Sequence, residues 1–366
     1  MKYITVGDCC EILDSQRKPI TAKDREKGNI PYYGANGIQD YVNDYIFDDE
    51  LVLVAEDGGN FGSKTKPIAY RVSGKCWVNN HAHVLKPKKE MNVDYLCYSL
   101  MFYNTVGLVN GATRQKLTQA SLRNMEIPKL PMNDQIKIVN RLQTILNIRS
   151  MRKKQLEMLD SLVKSRFVEM FGDININDKG WTIQPLGELC TIVRGGSPRP
   201  IEQFLGGDVP WIKIGDATEG ESIYLHSTKE HIIQEGVKKS RLVKSGSLIF
   251  ANCGVSLGFA RIIKFDGCIH DGWLAMEDID ERIDKVFLLQ SLNQMTEHFR
   301  TIAPAGTQPN LNTAIMKAYR QIIPPIELQK QYIDFVAQVD KLKSAVQAAL
   351  DKTQLLFDSL MQEYFG

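Results

Sequence analysis

Apolar residues over positions 326–366 recur at intervals of three, four or seven, with polar residues between them. The recurring positions are Tyr332, Val336, Val339, Val346, Leu350, Phe357, Leu360 and Tyr364. This heptad spacing places apolar side chains along one face of an α-helix, which we call the seam. Lys343 and Thr353 are polar interruptions in the seam. The pattern predicts one long helix that needs a packing partner.

The same pattern occurs twice in the chain. Leu117–Gly172 and Leu311–Gly366 align without a gap at a constant offset of 194, and eleven of the 56 aligned positions are identical. Apolar residues also replace apolar ones, as at Val139 and Ile333. The first copy continues the seam through Leu142, Ile145, Leu156, Leu159, Val163 and Met170, with Arg149 and Arg152 inside it. An internal repeat of this length predicts two equivalent long helices.

Both copies carry signals for the beginning and the end of a helix. Pro131 and Pro325 stand at the predicted first turn, where the missing N–H costs nothing and the fixed φ suits a helix. Gly172 and Gly366 fit the C-terminal stop. A helix of about 39 residues would be roughly 58 Å long. A helix of that length with one apolar face is not expected to stand alone.

The other copy is the natural partner for each helix. Residues 132–172 carry eight Lys and Arg against four Asp and Glu, whereas residues 326–366 carry four against six. The two helices are therefore electrostatically complementary. In the alternative arrangement, each helix packs on its own globular neighbour. The residues predicted to form the helix-pair interface are Leu142, Ile145, Leu156, Val163, Val336, Val339, Val346, Leu350 and Phe357.

The repeat divides the chain into globular parts at residues 1–131 and 173–325 and helices at residues 132–172 and 326–366. No run of 18 apolar residues and no signal-peptide pattern is present, so we expect a cytoplasmic protein with no membrane partner. The seven cysteines are scattered and form no C-x-x-C, which fits reduced thiols. The net charge of +2 does not favour nucleic acid, although basic residues are clustered. Composition alone leaves DNA binding open.

The two globular parts also resemble each other. Each has a buried-looking strand, at Glu50–Ala55 and Gly246–Ala251, that runs into a Gly-rich turn. Each also has a branched residue, proline and an aromatic residue in succession, at Ile30–Tyr32 and Val209–Trp211. Short strands, Gly-rich turns and a helical stretch near residues 93–104 and 281–300 predict a compact α/β unit in each half.

These residues resemble the DNA-specificity subunit of type I restriction–modification systems. The alternation of globular part and helix covers the whole chain, and the duplicated order makes the resemblance specific. The segments that carry it are Ile30–Gly37, Glu56–Gly58, Trp77–Val84, Gly195–Pro198, Val209–Ile212, Gly111–Leu117 and Gly306–Leu311.

The resemblance implies an α+β protein with a pseudo-twofold repeat. Residues 1–131 and 173–325 would be two target-recognition domains, separated by two long antiparallel helices that form a coiled coil. Each domain would read one half of a bipartite site in double-stranded DNA. The helices would act as a ruler and would dock two methyltransferase subunits, through which the restriction subunits attach. Because the two domains differ strongly in sequence, a palindromic target is not expected.

Arg or Lys suits guanine and Asn or Gln suits adenine in the major groove, and lysines in loops are also well placed to contact phosphates. Side chains of these types in loops are therefore the candidates for DNA contact, together with a histidine and a serine. They are Arg17, Lys18, Asn36, Asn60, Lys64, Asn79, Asn80, His81, Arg114, Gln115, Arg194, Ser197, Arg199, Lys213, Asn252, Gln308 and Asn310. Each residue type is also common in turns and on solvated surfaces, so a subset is expected to touch DNA.

Catalysis and metal binding are not favoured by the sequence. His81 and His83 share one face of a predicted strand, but no Cys or carboxylate cluster accompanies them, so we predict core or DNA-facing histidines rather than a metal site. The chain has no phosphate-binding G-x-x-x-x-G-K-[ST]. We therefore predict a non-catalytic chain without a cofactor. The alternatives are a DNA-binding scaffold or regulator without a methyltransferase partner, and a standalone nucleic-acid enzyme.

Overall fold

The computed structural model describes residues 2–111, 114–218, 223–254, 256–304 and 310–366. The chain forms two compact units. Unit 1 consists of Met1–Lys154 with Val346–Gly366, and unit 2 consists of Gln155–Ala345. Each unit therefore contains one mixed α and β body and about half of each long helix.

The elements of the first 171 residues follow from strongly apolar runs separated by turns. The helices are α1 (Val6–Cys9), α2 (Val93–Met101), α3 (Gln119–Arg123) and α4 (Met132–Phe171), with a 3-10 turn at Asp14–Gln16. The strands are β1 (Tyr3–Thr5), β2 (Cys10–Ile12), β3 (Lys27–Gly34), β4 (Gly37–Val42), β5 (Phe47–Ala55), β6 (Ala69–Val78), β7 (Ala82–Pro87), β8 (Val109–Asn110), β9 (Lys116–Leu117) and β10 (Glu126–Pro128).

The second half of the chain repeats this succession. Its helices are α5 (Leu186–Leu189), α6 (Gln234–Val237), α7 (Lys285–Gln294), α8 (Thr296–Ile302), α9 (Thr313–Ala318) and α10 (Ile326–Phe365). Three-residue and four-residue 3-10 turns lie at Ile201–Gln203 and Ile214–Ala217. The strands are β11 (Thr182–Pro185), β12 (Thr191–Arg194), β13 (Leu205–Ile212), β14 (Tyr224–Leu225), β15 (Glu230–Ile232), β16 (Arg241–Val243), β17 (Leu248–Ala251), β18 (Ala260–Ile263), β19 (Gly267–Ile269), β20 (Trp273–Glu277) and β21 (Arg320–Ile323).

The core of unit 1 is a six-stranded sheet in the order β2-β7-β5-β6-β3-β4. Its central strand β5 is buried on both faces, because successive side chains point to opposite sides of a strand. Val52 and Val54 pack in one cluster with Tyr95 of α2, whereas Leu51 and Leu53 pack in a second cluster on the other face. The strand predicted at Glu50–Ala55 is therefore confirmed as the centre of the sheet.

In unit 2, the equivalent strands are divided between two sheets. Their orders are β12-β20-β17-β18-β14 and β15-β13-β19-β16. The sequence echo between the halves has a structural basis. In unit 1, Tyr32 of β3 lies opposite Trp77 in parallel pairing with β6. In unit 2, Trp211 of β13 lies opposite Cys268 in parallel pairing with β19. The branched–proline–aromatic segments therefore occupy equivalent strands.

The two long helices are present as predicted, and the glutamine that both copies share joins each helix to its unit. Gln135 Oε1 accepts a hydrogen bond from the backbone N–H of Asn92 at 2.8 Å. Its Nε2 donates to the carbonyl oxygens of Glu90 and Leu130 at 3.0 and 2.8 Å. In unit 2, Gln329 makes the corresponding three bonds, again to backbone atoms only. The repeat thus preserves one buried connection in each half.

The helices run antiparallel where they pair. In unit 1, Arg141 Nη1 donates to the hydroxyl of Tyr364 at 3.0 Å, and Arg152 donates to Thr353. Residue numbers rise along α4 while they fall along α10. In unit 2, Lys343 Nζ donates to Asp160 Oδ1 at 2.6 Å, and Tyr332 of α10 packs its ring edge-on against Phe167 and Phe171 of α4. The predicted antiparallel pairing is confirmed in each unit.

Burial along the seam is uneven. Five predicted interface residues are buried, namely Leu142, Ile145, Val336, Val339 and Phe357. The other four are only half-buried, namely Leu156, Val163, Val346 and Leu350. Four of the buried members also pack on the bodies of their units, as Leu142 does in the cluster that contains Tyr95 and Phe357. The two arrangements considered from the sequence are therefore combined, since these helices pack on each other and on globular neighbours.

We expect Gln135→Leu to lower the free energy of unfolding by about 3 kcal/mol, because it removes three hydrogen bonds between a buried side chain and backbone groups, each contributing about 1 kcal/mol. Gln143→Leu on the exposed face of the same helix is the matched control and should change stability by about 0.5 kcal/mol or less. Urea unfolding of the full chain measures both. Equal effects of the two substitutions would contradict a connecting role for Gln135.

Candidate nucleic-acid interface

The polar loops of unit 1 meet where β5 ends and β7 begins. Ala55 and Ala82 are opposite each other in the sheet, so the residues after the first lie beside the residues before the second. Gly58 turns the chain there with φ of +62°, a conformation that favours glycine. Its N–H donates to the carbonyl of Gln115 at 3.2 Å, and its carbonyl accepts from Asn36 Nδ2 at 3.0 Å. The turn therefore holds two other loops beside it.

Five of the predicted DNA-contacting residues gather at this turn. Asn60 Nδ2 donates to Asn36 Oδ1 at 3.1 Å. His81 Nδ1 and Arg114 Nη2 both lie against Asp57 Oδ1, at 2.6 and 2.9 Å. The fifth member is Gln115, which is exposed. These five residues come from loops that are far apart in sequence. The fold brings them together into one compact polar surface of unit 1.

A buried charged cluster lies beneath this surface. His83 of β7 is 1% exposed, with Nδ1 at 2.6 Å from Asp14 Oδ2 and Nε2 at 2.9 Å from the carbonyl oxygen of Leu117. Burial acts to raise the pKa of Asp14, but the hydrogen bond and charge of His83 outweigh it and lower the pKa below its ordinary value. Arg17 Nη1 donates to Glu56 Oε2 at 2.7 Å. These pairs fasten the 3-10 turn, β5 and β7 together.

The ligand atoms of Asp14, Glu56 and His83 lie within 4.8 Å of one another, which is close enough to consider a metal ion. The contacts do not fit one. Arg17 and Lys116 already neutralise Glu56, at 2.7 and 3.0 Å, and both ring nitrogens of His83 have partners. The cluster fits an internal ion-pair network better than a metal site.

The two histidines predicted to share a strand face have different surroundings. His81 precedes β7 and is half-buried beside Asp57, whereas His83 lies within β7 and is buried beside Asp14. The common face stays a prediction, since β7 begins only at Ala82 and His81 lies just before it.

Unit 2 builds its polar surface at the equivalent edge. The backbone N–H of Leu311 donates to the carbonyl of Asn252 at 2.8 Å, as that of Leu117 donates to Glu56 at 2.7 Å in unit 1. Asn252 is fully buried, and its Nδ2 donates to Asn310 Oδ1 and to the carbonyl of Leu311. The loop before the second long helix is thus fastened to the end of β17.

A second cluster in unit 2 surrounds Asp271. Ser197 Oγ donates to Asp271 Oδ1 at 2.8 Å, and Arg199 Nη2 donates to Oδ2 at 3.2 Å. Arg194 Nε donates to the carbonyl of Asp271 at 3.0 Å. Burial acts to raise the pKa of Asp271, but the hydrogen bond from Ser197 and the charge of His270 outweigh it, so the pKa lies below its ordinary value. Burial also lowers the pKa of His270.

The remaining candidates differ in accessibility. The exposed ones are Lys18, Lys64 and Asn80, and Lys213 is half-buried against Glu230. Gln308 lies outside the described residues. Asn79 is 3% exposed and bonded to Gln39, and its Oδ1 accepts from the N–H of His81. Base edges are read by accessible side chains, so we expect the buried candidates Asn79 and Asn252 to shape the loops rather than to touch DNA. We expect the same of the half-buried Arg17, which is paired with Glu56.

The candidates predicted from the sequence are mostly hydrogen-bond donors, and the carboxylates that hold some of them were not among the predicted residues. Asp57 and Asp271 each contact an arginine and a histidine. For Asp57 a signal was present, since it lies two residues after the buried strand β5 and directly before Gly58. For Asp271 the signal was weaker, because its partners Ser197 and Arg199 come from a loop more than seventy positions earlier in the chain.

Comparison with known families agrees with this duplicated arrangement. The sequence pattern of the type I restriction modification DNA specificity domain matches residues 1–159 and again residues 178–352. The chain belongs to this family. Among the described residues, no helix is both long and apolar enough to cross a bilayer.

Several members of the specificity family are similar over most of their length. A protein assigned as a type I restriction enzyme specificity subunit in Haemophilus influenzae is 29% identical over 363 residues, which covers 96% of this chain and 90% of the relative. The MjaVIII specificity subunit of Methanocaldococcus jannaschii is 20% identical over 378 residues, covering 93% of this chain and 86% of that protein.

Solved structures share the fold of this family member. The S subunit of a type I restriction-modification system from M. genitalium superposes with a TM-score of 0.56 at 15% identity, covering 100% of this chain and 96% of that one. A chain from a study of complex assembly and conformational transition in a type I R-M system gives a TM-score of 0.65 at 16% identity, covering 100% and 97%. At these identities the likeness concerns the fold alone.

Proposed function

We propose that this chain is the DNA-specificity subunit of a type I restriction–modification enzyme and reads a bipartite, asymmetric site in double-stranded DNA. The observation that carries the proposal is that two units with equivalent strands present different polar surfaces at the same sheet edge. Unit 1 presents Asn36 and Arg114 there, and unit 2 presents Arg194 and Arg199. Because the side chains differ, the two half-sites should differ in sequence.

Residues 1–131 and 173–325 are proposed as the two target-recognition domains, with residues 132–172 and 326–366 as the helices that space them. Among exposed and half-buried candidates, arginine and amide side chains suit base edges, and lysines suit phosphates. The proposed base readers are Asn36, Asn60, Asn80, Arg114, Gln115, Arg194, Arg199 and Asn310. The proposed phosphate contacts are Lys18, Lys64 and Lys213.

We propose that exposed apolar side chains of the long helices form two patches, which dock two methyltransferase subunits. In unit 1, Ile148 and Leu356 are 39% and 51% exposed. In unit 2, Leu162 and Leu342 are 46% and 56% exposed. The internal repeat relates Ile148 to Leu342 and Leu162 to Leu356 at the offset of 194. Exposed apolar patches mark interaction sites, and repeat-related patches favour two copies of one partner.

We further propose that the chain itself is non-catalytic and cytoplasmic, with methylation and cleavage carried by its partners. The restriction subunits would attach through the methyltransferase subunits. Membership in the specificity family disfavours the alternative of a DNA-binding scaffold or regulator without a methyltransferase partner. The internal ion pairs of Asp14, Glu56 and His83 leave these groups engaged with one another rather than with a substrate.

We expect the full chain, co-expressed with a type I methyltransferase subunit, to bind two copies and direct adenine methylation to a bipartite site. Ile148→Asp with Leu356→Asp should leave one bound copy, and Leu162→Asp with Leu342→Asp should do the same, because each pair charges one apolar patch. Native mass spectrometry counts the copies, and genome-wide methylation mapping gives the site. Asn140→Asp, at an exposed polar position of α4, is the control. Methylation without sequence preference would refute the proposed function.

A further inference from the structure

Each unit holds an exposed arginine against a carboxylate. In unit 1, Arg114 is 60% exposed and Asp57 is 19% exposed, with Nη2 and Oδ1 at 2.9 Å. In unit 2, Arg199 is 79% exposed and Asp271 is 30% exposed, with Nη2 and Oδ2 at 3.2 Å. A histidine completes both groups, because His81 contacts Asp57 and His270 contacts Asp271. The same three kinds of side chain therefore meet in both units.

The two groups are not copies made by the duplication. The isolated bridges that follow β5 and β17 place Asp57 in register with Cys253. The pairing of β7 and β20 with these strands places Asp271 in register with Asn80. Neither aspartate has an aspartate at the repeated position. The arrangement therefore arises from different positions of the fold, which favours a shared requirement at this edge over inheritance from one ancestor.

The hydrogen bonds of Arg114 and Arg199 to side chains in the described part of the chain come from Nη2. A guanidinium has five N–H groups in a rigid planar fork, so other N–H groups stay available to a ligand. A carboxylate on one nitrogen fixes the direction of the fork. It also makes the pair nearly neutral, which weakens attraction to DNA phosphates at every sequence.

Guanine fits an arginine guanidinium whose direction is fixed by a carboxylate. Its O6 and N7 atoms form a pair of acceptors in the major groove, and bidentate arginine is the common reader of that pair. A phosphate can be reached from many directions, so it gains little from a fork in one orientation. The carboxylate of Asp271 is ionised at neutral pH like an ordinary aspartate. Burial acts to raise its pKa, but the pKa lies below the ordinary value because the hydrogen bond from Ser197 and the charge of His270 favour the ionised form.

We propose that Asp57 and Asp271 are positioning residues that aim Arg114 and Arg199 at guanine, one in each half-site, and withhold both arginines from phosphates. The inference rests on the proposed function, because it assigns specificity within the same surfaces. It adds that each half-site contains a guanine whose recognition depends on an aspartate that does not itself contact the base.

The test uses the full chain in complex with its methyltransferase partner and duplexes with randomised positions. Selection and sequencing give the preference at each base pair, and salt titration gives the binding to random DNA. Asp57→Asn should reduce the guanine preference about tenfold or more at one position of one half-site. It should also raise affinity for random DNA and leave the other half-site unchanged. Asp271→Asn should reduce the guanine preference in the other half-site and leave the first one unchanged, again with higher affinity for random DNA.

Two further variants separate positioning from charge and from folding. Asp49→Asn removes the same charge from the other end of β5, about 26 Å away at 3.3 Å per residue. Its carboxylate pairs with Lys86 at 2.5 Å, and the guanine preference should stay intact. Arg114→Lys keeps the charge beside Asp57 but loses the fork, so it should lose the guanine preference while random-DNA binding persists.

The outcomes are distinguishable. If Asp57→Asn or Arg114→Lys weakens binding equally at every sequence, Arg114 is a phosphate contact and the inference is overturned. If wild-type protein selects a bipartite site and neither variant changes any base preference, the inference fails while the proposed function stands. If the wild-type complex selects no sequence, the proposed function fails, and the inference with it.

Discussion

Leu142→Asp is expected to unfold unit 1, at a cost of about 4 kcal/mol or more, because an unpaired carboxylate would replace a leucine that packs on both a helix and a sheet. Leu142 is fully buried among Val139, Tyr95 and Phe357. Hydrogen exchange measured by mass spectrometry should show loss of protection in β5 and β7.

Two other substitutions on α4 test whether the loss of stability follows the burial of the replaced side chain. Met151→Asp is the matched control, since Met151 is 71% exposed, and it should change stability by about 0.5 kcal/mol or less. Leu156→Asp should lie between the two, at about 1–2 kcal/mol, because Leu156 is only half-buried. Wild-type protection of β5 in Leu142→Asp would contradict the packing of α4 on unit 1. A larger effect at Leu156 than at Leu142 would place the critical contacts in the middle of the seam instead.

Exchange of residues 1–131 for the corresponding segment of the Haemophilus influenzae relative is expected to replace one half of the DNA target and keep the other. Loss of the original half-site should exceed about a hundredfold in affinity, since each mismatched base pair costs about 1–3 kcal/mol and several change together. The exchange retains Gln135, whose partners are backbone atoms of Glu90, Asn92 and Leu130. The junction between the exchanged segment and α4 therefore does not depend on which side chains the relative carries at these positions.

The reciprocal exchange of residues 173–325 is the control and should alter only the other half-site. Methylation mapping of both chimaeras, each with the methyltransferase subunit, gives the two targets. A change in both half-sites from either single exchange would show that the units do not read independently. An unchanged target in both chimaeras would remove residues 1–131 and 173–325 from sequence recognition altogether.

The sequence by itself determined the duplicated helices and the strands at the centre of each unit. Heptad spacing and apolar runs are local properties of the sequence. For that reason α4, α10 and β5 lie where the pattern predicts them. The identity of Gln135 and Gln329 also marked the repeat. Their purpose could not be read, because their partners are backbone groups brought close only when β10 or β21 and the loop before α2 or α7 pack together.

Only the tertiary structure decided which polar residues are accessible. Three of the candidates are of residue types that commonly contact DNA, yet each is held by residues distant in the chain. They are Asn79, Asn252 and Arg17. The same holds for Asp57 and Asp271, whose roles depend on Arg114 and Arg199 in other loops. Periodicity is set within a few residues, whereas burial and charge pairing are set by which strand ends meet at a sheet edge. That meeting is a property of the whole fold, and no local pattern encodes it.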